Sequence, residues 1–214
     1  KSMFQKEHHC MYLETEKLPP LDLYRLLTGS VIPRPIAWIS TRSASGVNNI
    51  APYSFFTVAS CVPPVLAVVH VNPKGGQQKD TLRNLRETGE CVVSTVSAAD
   101  GDLMNRSCAP YPPETGEFDA VGIEAADSQV VDVPGVASAP VRMEGRLREV
   151  ITIADTPMGG QVMLIDVLAI HVRDELLVDG QIDPTRIELL AKLGGDHYSL
   201  SRSACTMARP TTAG

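Results

Sequence analysis

Residues 48–64 read NNIAPYSFFTVASCVPP, with Pro52 near the entry, Tyr53, Ser54, Phe55 and Phe56 in a row, the small Ala59 and Ser60, and a Pro63-Pro64 exit. Proline fixes φ, removes a backbone donor and pushes the residue before it toward extended conformations. The segment is therefore predicted to run extended and then stop. Two readings stay open at this point. An extended backbone with small and hydroxyl side chains can offer its own N–H and C=O groups to a flat ligand. Equally, aromatic residues on a strand are ordinary core packing.

Upstream, residues 1–20 are polar and end in Pro19-Pro20, which reads as an arm. Leu21 to Thr28 has apolar residues at helical spacing and is followed by Gly29, a short helix with a glycine stop. Val31 to Ser40, VIPRPIAWIS, is strand-like, but Pro33 and Pro35 confine its early part to an edge. Arg34 is held rigidly between those prolines. It is either a surface arginine or a fixed cation for an anionic group, which its planar donor fork suits. SASGVNN at 43–49 is a hairpin turn into the opening segment.

Downstream, Val65 to Val71 is a continuous apolar run, expected as a strand buried on both sides. The loop NPKGGQQ at 72–78 then delivers Lys79, Asp80 and Thr81 to the start of a helix that ends at Gly89, with Leu82 and Leu85 inward and Arg83 and Arg86 outward. The first turn of a helix has unpaired N–H groups and the positive end of the dipole, so Lys79 and Thr81 there can hold a phosphate. Ordinary capping by Asp80 or Thr81 is the competing reading.

Cys91 to Val96 is predicted as a strand, and Ser97 as the cap of a second short helix through Met104. Residues 107–118 form a long proline- and glycine-bearing loop able to cover a site or reach a partner. Weak strand signals follow at 121–126 and 128–131. Val141 to Ile153 alternates like a strand with one wet face, and Gln161 to Val172 is the most apolar strand, interrupted by Asp166. Pro184 to Leu193 is predicted as a helix, capped by Asp183 and ended by Gly194-Gly195. Residues 203–214 read as a disordered tail, which leaves 21–202 as one domain.

The chain has 214 residues, 43% of them hydrophobic, enough for a sizeable core without disulfide or metal staples. A net charge of −6 argues against a nucleic-acid footprint. Five scattered cysteines without a CxxC pair read as reduced thiols. His8, His9 and Cys10 lack a second ligand pair, so no metal is expected. There is no apolar run of about eighteen residues and no secretory leader pattern, so the expectation is a cytoplasmic protein without a membrane span. About seven or eight strands with short helices do not alternate as βαβ units, so the expected fold is mainly β (α+β), an antiparallel barrel with short peripheral helices. Neither GxGxxG nor a Walker-type loop is present.

An ordered series of motifs carries a resemblance: Pro33-Arg34-Pro35-Ile36-Ala37-Trp38, Asn49 with Ala51-Pro52-Tyr53-Ser54-Phe55-Phe56, Pro63-Pro64, Lys79-Asp80-Thr81 with Asn84, and Leu193-Gly194-Gly195 followed by Tyr198. From about Leu21 to Ser199 the chain resembles the flavin reductase-like, FMN-binding split-barrel proteins, which include reductase components of two-component monooxygenases and flavoredoxin-type carriers. The resemblance implies a split β-barrel homodimer with FMN in clefts at the subunit interface. Ala51, Pro52, Tyr53, Ser54, Phe55 and Phe56 would face the isoalloxazine. Lys79, Asp80 and Thr81 would hold the phosphate, Arg34 would be a second cation, and His197 and Tyr198 would close one side of the cleft.

It further implies NADH or NADPH as co-substrate and an oxygenase or other electron acceptor as partner, with no catalytic side chain. A flavoredoxin-like FMN carrier that does not oxidise nicotinamide is the alternative. Val62 and Gln77-Gln78 depart from the family pattern, the latter at the lead into the phosphate site.

Overall fold

The computed structural model describes residues 10–75, 78–201 and 205–209. The His8 and His9 positions, Gln77 and most of the tail lie outside them. In chain order the elements are α1 (Pro20–Ser30), β1 (Arg34–Pro35), β2 (Ala37–Arg42), β3 (Asn48–Tyr53), β4 (Phe56–Cys61), β5 (Pro64–Val71), α2 (Asp80–Thr88) and β6 (Glu90–Ser94). There follow α3 (Gly101–Arg106), α4 (Glu117–Val121), β7 (Ala125–Ala126), β8 (Gly135–Val136), β9 (Val141–Thr152) and β10 (Gly160–Val172). The last are β11 (Leu177–Val178), β12 (Gln181–Ile182), β13 (Leu190–Lys192) and β14 (Tyr198–Leu200).

Seven strands form one antiparallel sheet in the order β3-β2-β6-β9-β10-β5-β4. Its two edge strands, β3 and β4, are consecutive in the chain and are joined only by Ser54 and Phe55. In a flat sheet those edges would lie about 29 Å apart, at about 4.8 Å per strand. The three peptide links from Tyr53 to Phe56 span at most about 11 Å. The sheet must therefore roll up until its edges meet at the aromatic ribbon, and the fold is a split barrel. Close crossing inside it is fixed by Gly145 on β9, where a Cβ would come within 2.6 Å of the Ile165 side chain and 2.8 Å of the Asp166 carbonyl oxygen on β10.

Alternation along β2 divides the core in two. Ala37 and Ile39 point into one cluster with Tyr53, Leu66, Val68, Met163 and Ile165, and α2 closes it with Leu82 and Leu85. Trp38 points the other way, into a cluster with Ile50, Met104, Phe118 and Val121, which α3 and α4 cover. The period-two side-chain pattern of a strand is what lets one ribbon serve both cores.

Several expectations about local structure are corrected. The segment 184–193 is not a helix. Asp183 Oδ1 accepts the backbone N–H of Thr185 at 2.8 Å and ends the matter as a single turn, after which Leu190–Lys192 pairs with β1 and β14. Helical periodicity there loses to strand pairing, an override of local propensity by tertiary contact. The helix expected to follow Ser97 directly starts at Gly101, with the Ser97 hydroxyl accepting from Asp100 N–H in the preceding turn. The 107–118 loop ends in α4, and residues 128–131 form no strand. The α1 helix runs through Gly29 to Ser30. Strand β5 is buried more fully on one face than on the other.

Candidate functional site

The first turn of α2 reaches the ribbon through side-chain hydrogen bonds. Thr81 Oγ1 donates to Asn49 Oδ1 at 3.1 Å, and the same oxygen accepts from Thr41 Oγ1 at 3.2 Å. Asn84 Nδ2, one turn further along α2, donates to Thr41 Oγ1 at 3.1 Å. On the other side, Asn49 Nδ2 donates to Glu117 Oε1 at 2.8 Å and the Ile50 backbone N–H donates to Glu117 Oε2 at 3.1 Å. Every one of these groups is buried. Strand β3, helix α2 and helix α4 are thereby held in register by one buried polar network, in which Asn84 Oδ1 is the atom left without a hydrogen-bond partner among the described residues.

The helix tip carries no side-chain cap. Lys79 sits at the N-cap position with extended dihedrals and makes no bond to the first-turn N–H groups. Neither competing cap materialises: the Asp80 carboxylate is 2.6 Å from Arg83 Nη2, and the Thr81 hydroxyl is committed to Asn49. The first-turn donors and the dipole's positive end are thus left for another acceptor. Lys79 Nζ lies 5.8 Å from the Tyr53 ring centroid, so the cation is held against the ribbon's first aromatic.

Ala51, Pro52, Lys79, Asp80 and Thr81 line a single cavity of about 670 Å³, together with Asn49, Glu117 and the 107–113 loop. That volume is in the range of cofactor sites. The loop forms its far wall with Cys108 and Tyr111, anchored where Trp38 Nε1 donates to Ser107 Oγ at 3.0 Å. Burial, opposed by the bonds from its own backbone, Ile50 and Asn49 and reinforced by Asp80, raises the proton affinity of the Glu117 carboxyl. Burial likewise pushes the Tyr53 phenol up to about 12.

The remaining expected site residues lie elsewhere in the chain. Arg34 is buried, and its three nitrogens are engaged: Nε with Ser54 Oγ, Nη1 with the carbonyls of Thr28 and Val31, and Nη2 with the Leu193 carbonyl at 3.0 Å. Its guanidinium also lies over the Phe55 ring, 5.7 Å from the centroid. Arg34 ties the end of α1 to the Leu193 carbonyl and does not line the helix-tip cavity within one chain. Phe56 packs against the barrel core. His197 is exposed, with Nδ1 3.3 Å from the Gly194 carbonyl oxygen, and Tyr198 packs on the second core with Lys192 Nζ 3.9 Å from its ring centroid. Neither lines the cavity within one chain.

Residues 28–185 match the family model described as the flavin reductase like domain. The chain belongs to the flavin reductase-like family. This family member is 36% identical over 205 residues to an uncharacterized protein of Halalkalibacterium halodurans, covering 94% of this chain and 97% of that one. Its fold is similar to nitrilotriacetate monooxygenase component B from Bacillus cereus, with a TM-score of 0.88 at 32% identity, covering 93% of this chain and 99% of that one. It is also similar to the 2-nitrobenzoate 2-nitroreductase NbaA of Pseudomonas fluorescens, with a TM-score of 0.85 at 27% identity, covering 94% and 97%. Family membership supports a flavin-related function. Asn49 and Asn84 stood in the motif series, but their joint role was hidden. Glu117 gave no signal, because a carboxylate in a proline- and glycine-bearing loop reads as surface.

Proposed function

We propose that this flavin reductase-like protein holds FMN in the cavity between β3 and α2 and acts as an NADH- or NADPH-dependent flavin reductase. The observation that carries the reading is the convergence of an uncapped, lysine-bearing helix tip and the extended Ala51–Pro52 backbone on one cavity. The residues fit the cofactor. Free first-turn N–H groups of α2 and Lys79 suit a phosphate, with charge-assisted bonds. The backbone at Ala51 and Pro52 lies where it can meet a planar ring, and Tyr111 and the proline-bearing 107–113 loop keep water from that face.

FMN, when bound, supplies the redox chemistry by accepting a hydride from the nicotinamide ring. The chain binds and orients. Lys79 and the α2 tip would hold one end, the Asn49–Glu117 bonds fix the ribbon against α4, and the 107–113 loop would cover the cavity from solvent. No side chain is assigned proton transfer.

A homodimer completes the reading, with His197 and Tyr198 of a second copy closing the open side of the cleft. Exposed apolar residues on α1 (Tyr24, Leu26, Leu27) and at the β4 end (Val58, Val62) support pairing with another copy. Similarity to a monooxygenase component supports an oxygenase as the acceptor of reduced flavin. Steady-state oxidation of NADH and NADPH with added FMN tests the activity. Turnover with either nucleotide is expected, and no turnover with both overturns the reductase in favour of a flavoredoxin-like carrier.

A further inference from the structure

A second cavity of about 230 Å³ adjoins the helix-tip end of the main one, and the two share Pro73 and Gln78 on the approach to Lys79. It is smaller than a site for a whole cofactor, so it suits one group of a larger ligand. His70 lines it, 1% exposed, and its Nδ1 has no hydrogen-bond partner. A buried polar nitrogen left unpaired is costly, and no group among the described residues pairs it. Burial first, then the charges of Lys79 and Arg86, push His70 down to about 4, so the ring is neutral near pH 7 and one ring nitrogen can donate.

Arg86 lines the same space and belongs to the exposed face of α2. Its Nη2 donates to Gln161 Oε1 at 2.7 Å, and Gln161 Nε2 donates to Asn72 Oδ1 at 2.8 Å, a chain of amides that aims the guanidinium without neutralising it. Asp155 is the one acidic residue on the lining. One cation, Arg86, and an unpaired imidazole beside the uncapped helix tip describe a wall for a second anion, next to the cavity that Lys79 lines.

We propose that this cavity is a subsite for a second phosphoryl group, carried by a diphosphate-bearing ligand whose body lies in the main cavity, with Arg86 and His70 as its donors. The inference rests on the flavin reading of the main cavity. FAD and a nicotinamide dinucleotide both carry the required chemistry.

The test is binding, measured on the full chain and on Arg86→Gln. FMN and FAD are titrated by flavin fluorescence, and NADP⁺ is titrated by calorimetry onto the FMN-loaded protein. The substitution is expected to weaken one of the diphosphate ligands by about tenfold, the size of one charge-assisted contact, while FMN stays within about twofold. A loss confined to FAD makes the flavin the source, and a loss confined to NADP⁺ makes it the second substrate. No loss for either, or an equal loss for FMN, overturns the subsite. Should no flavin bind at all, the flavin reading fails and the subsite is decided by inorganic phosphate alone. Movement of the His70 ring resonances in ¹⁵N-histidine-labelled protein, absent in Arg86→Gln, upholds it, and unmoved resonances overturn it.

Discussion

Thr81 on α2 and Asn49 on β3, far apart in the chain, share a 3.1 Å hydrogen bond in which the threonine hydroxyl donates to the amide oxygen. Asn49 is also the acceptor for Thr41 and the donor to Glu117, so its side chain joins three elements at the cavity floor. Asn49→Ala takes away the amide oxygen to which two buried hydroxyls donate and the amide N–H that Glu117 Oε1 accepts. It is expected to cost about 2–4 kcal/mol. Urea unfolding measures this; a shift in midpoint at constant slope is the expected result, and a cost below about 0.5 kcal/mol contradicts the network.

Glu117 accepts from two donors, Asn49 Nδ2 and Ile50 N–H, with different oxygens. Glutamine offers only one acceptor there and turns an NH₂ toward a donor. Glu117→Gln should therefore destabilise by about 1–3 kcal/mol despite near-identical size. If the burial of an unneutralised carboxylate dominated, the substitution would instead stabilise, and the same unfolding experiment separates the two by sign.

Arg34 serves carbonyls at the end of α1 and at Leu193, and stacks over Phe55. Lysine cannot reproduce that planar fork. Arg34→Lys is expected to lower stability by about 1–3 kcal/mol while leaving the ratio of FMN to riboflavin affinity within about twofold. A collapse of that ratio would return Arg34 to the role of a phosphate cation.

His70 gives a pH dependence of definite sign. Its ring stays neutral in the folded protein down to about pH 4, whereas the unfolded chain takes up that proton near 6.5. The contribution is present in full above pH 6.5 and is lost as pH falls toward 4, on the order of 3 kcal/mol in all. Glu117, with its carboxyl raised, works in the opposite sense over the lower part of that window. The informative measurement is thus the difference between wild type and His70→Leu: the variant should show a shallower loss of stability between pH 6.5 and 4, and parallel curves would contradict the assignment.

Much of this was legible in the sequence, for physical reasons. The partial apolar–polar alternation of β9 and the apolar run of β10 mark both as strands, and the spacing of Leu82 and Leu85 before Gly89 declares α2 and its buried face. The prolines around Tyr53 and Phe56 marked the ribbon on which the barrel closes. What was hidden depended on long-range partners. Residues 184–193 have helical spacing, yet Leu190–Lys192 is claimed by β1 and β14. The fate of Arg34 is decided by a carbonyl at Leu193, and that of Glu117 by donors 67 and 68 residues earlier. No local pattern encodes such contacts.

The most direct measurement is an equilibrium titration of the purified protein with FMN and, in parallel, riboflavin, repeated on Lys79→Ala. With the ribbon and the α2 tip gripping opposite ends of one flavin, FMN should bind at least about tenfold more tightly than riboflavin, and most of that margin should vanish in the variant. Equal affinity for the two flavins in the wild-type protein, or an FMN preference untouched by the loss of Lys79, would contradict the shared cavity.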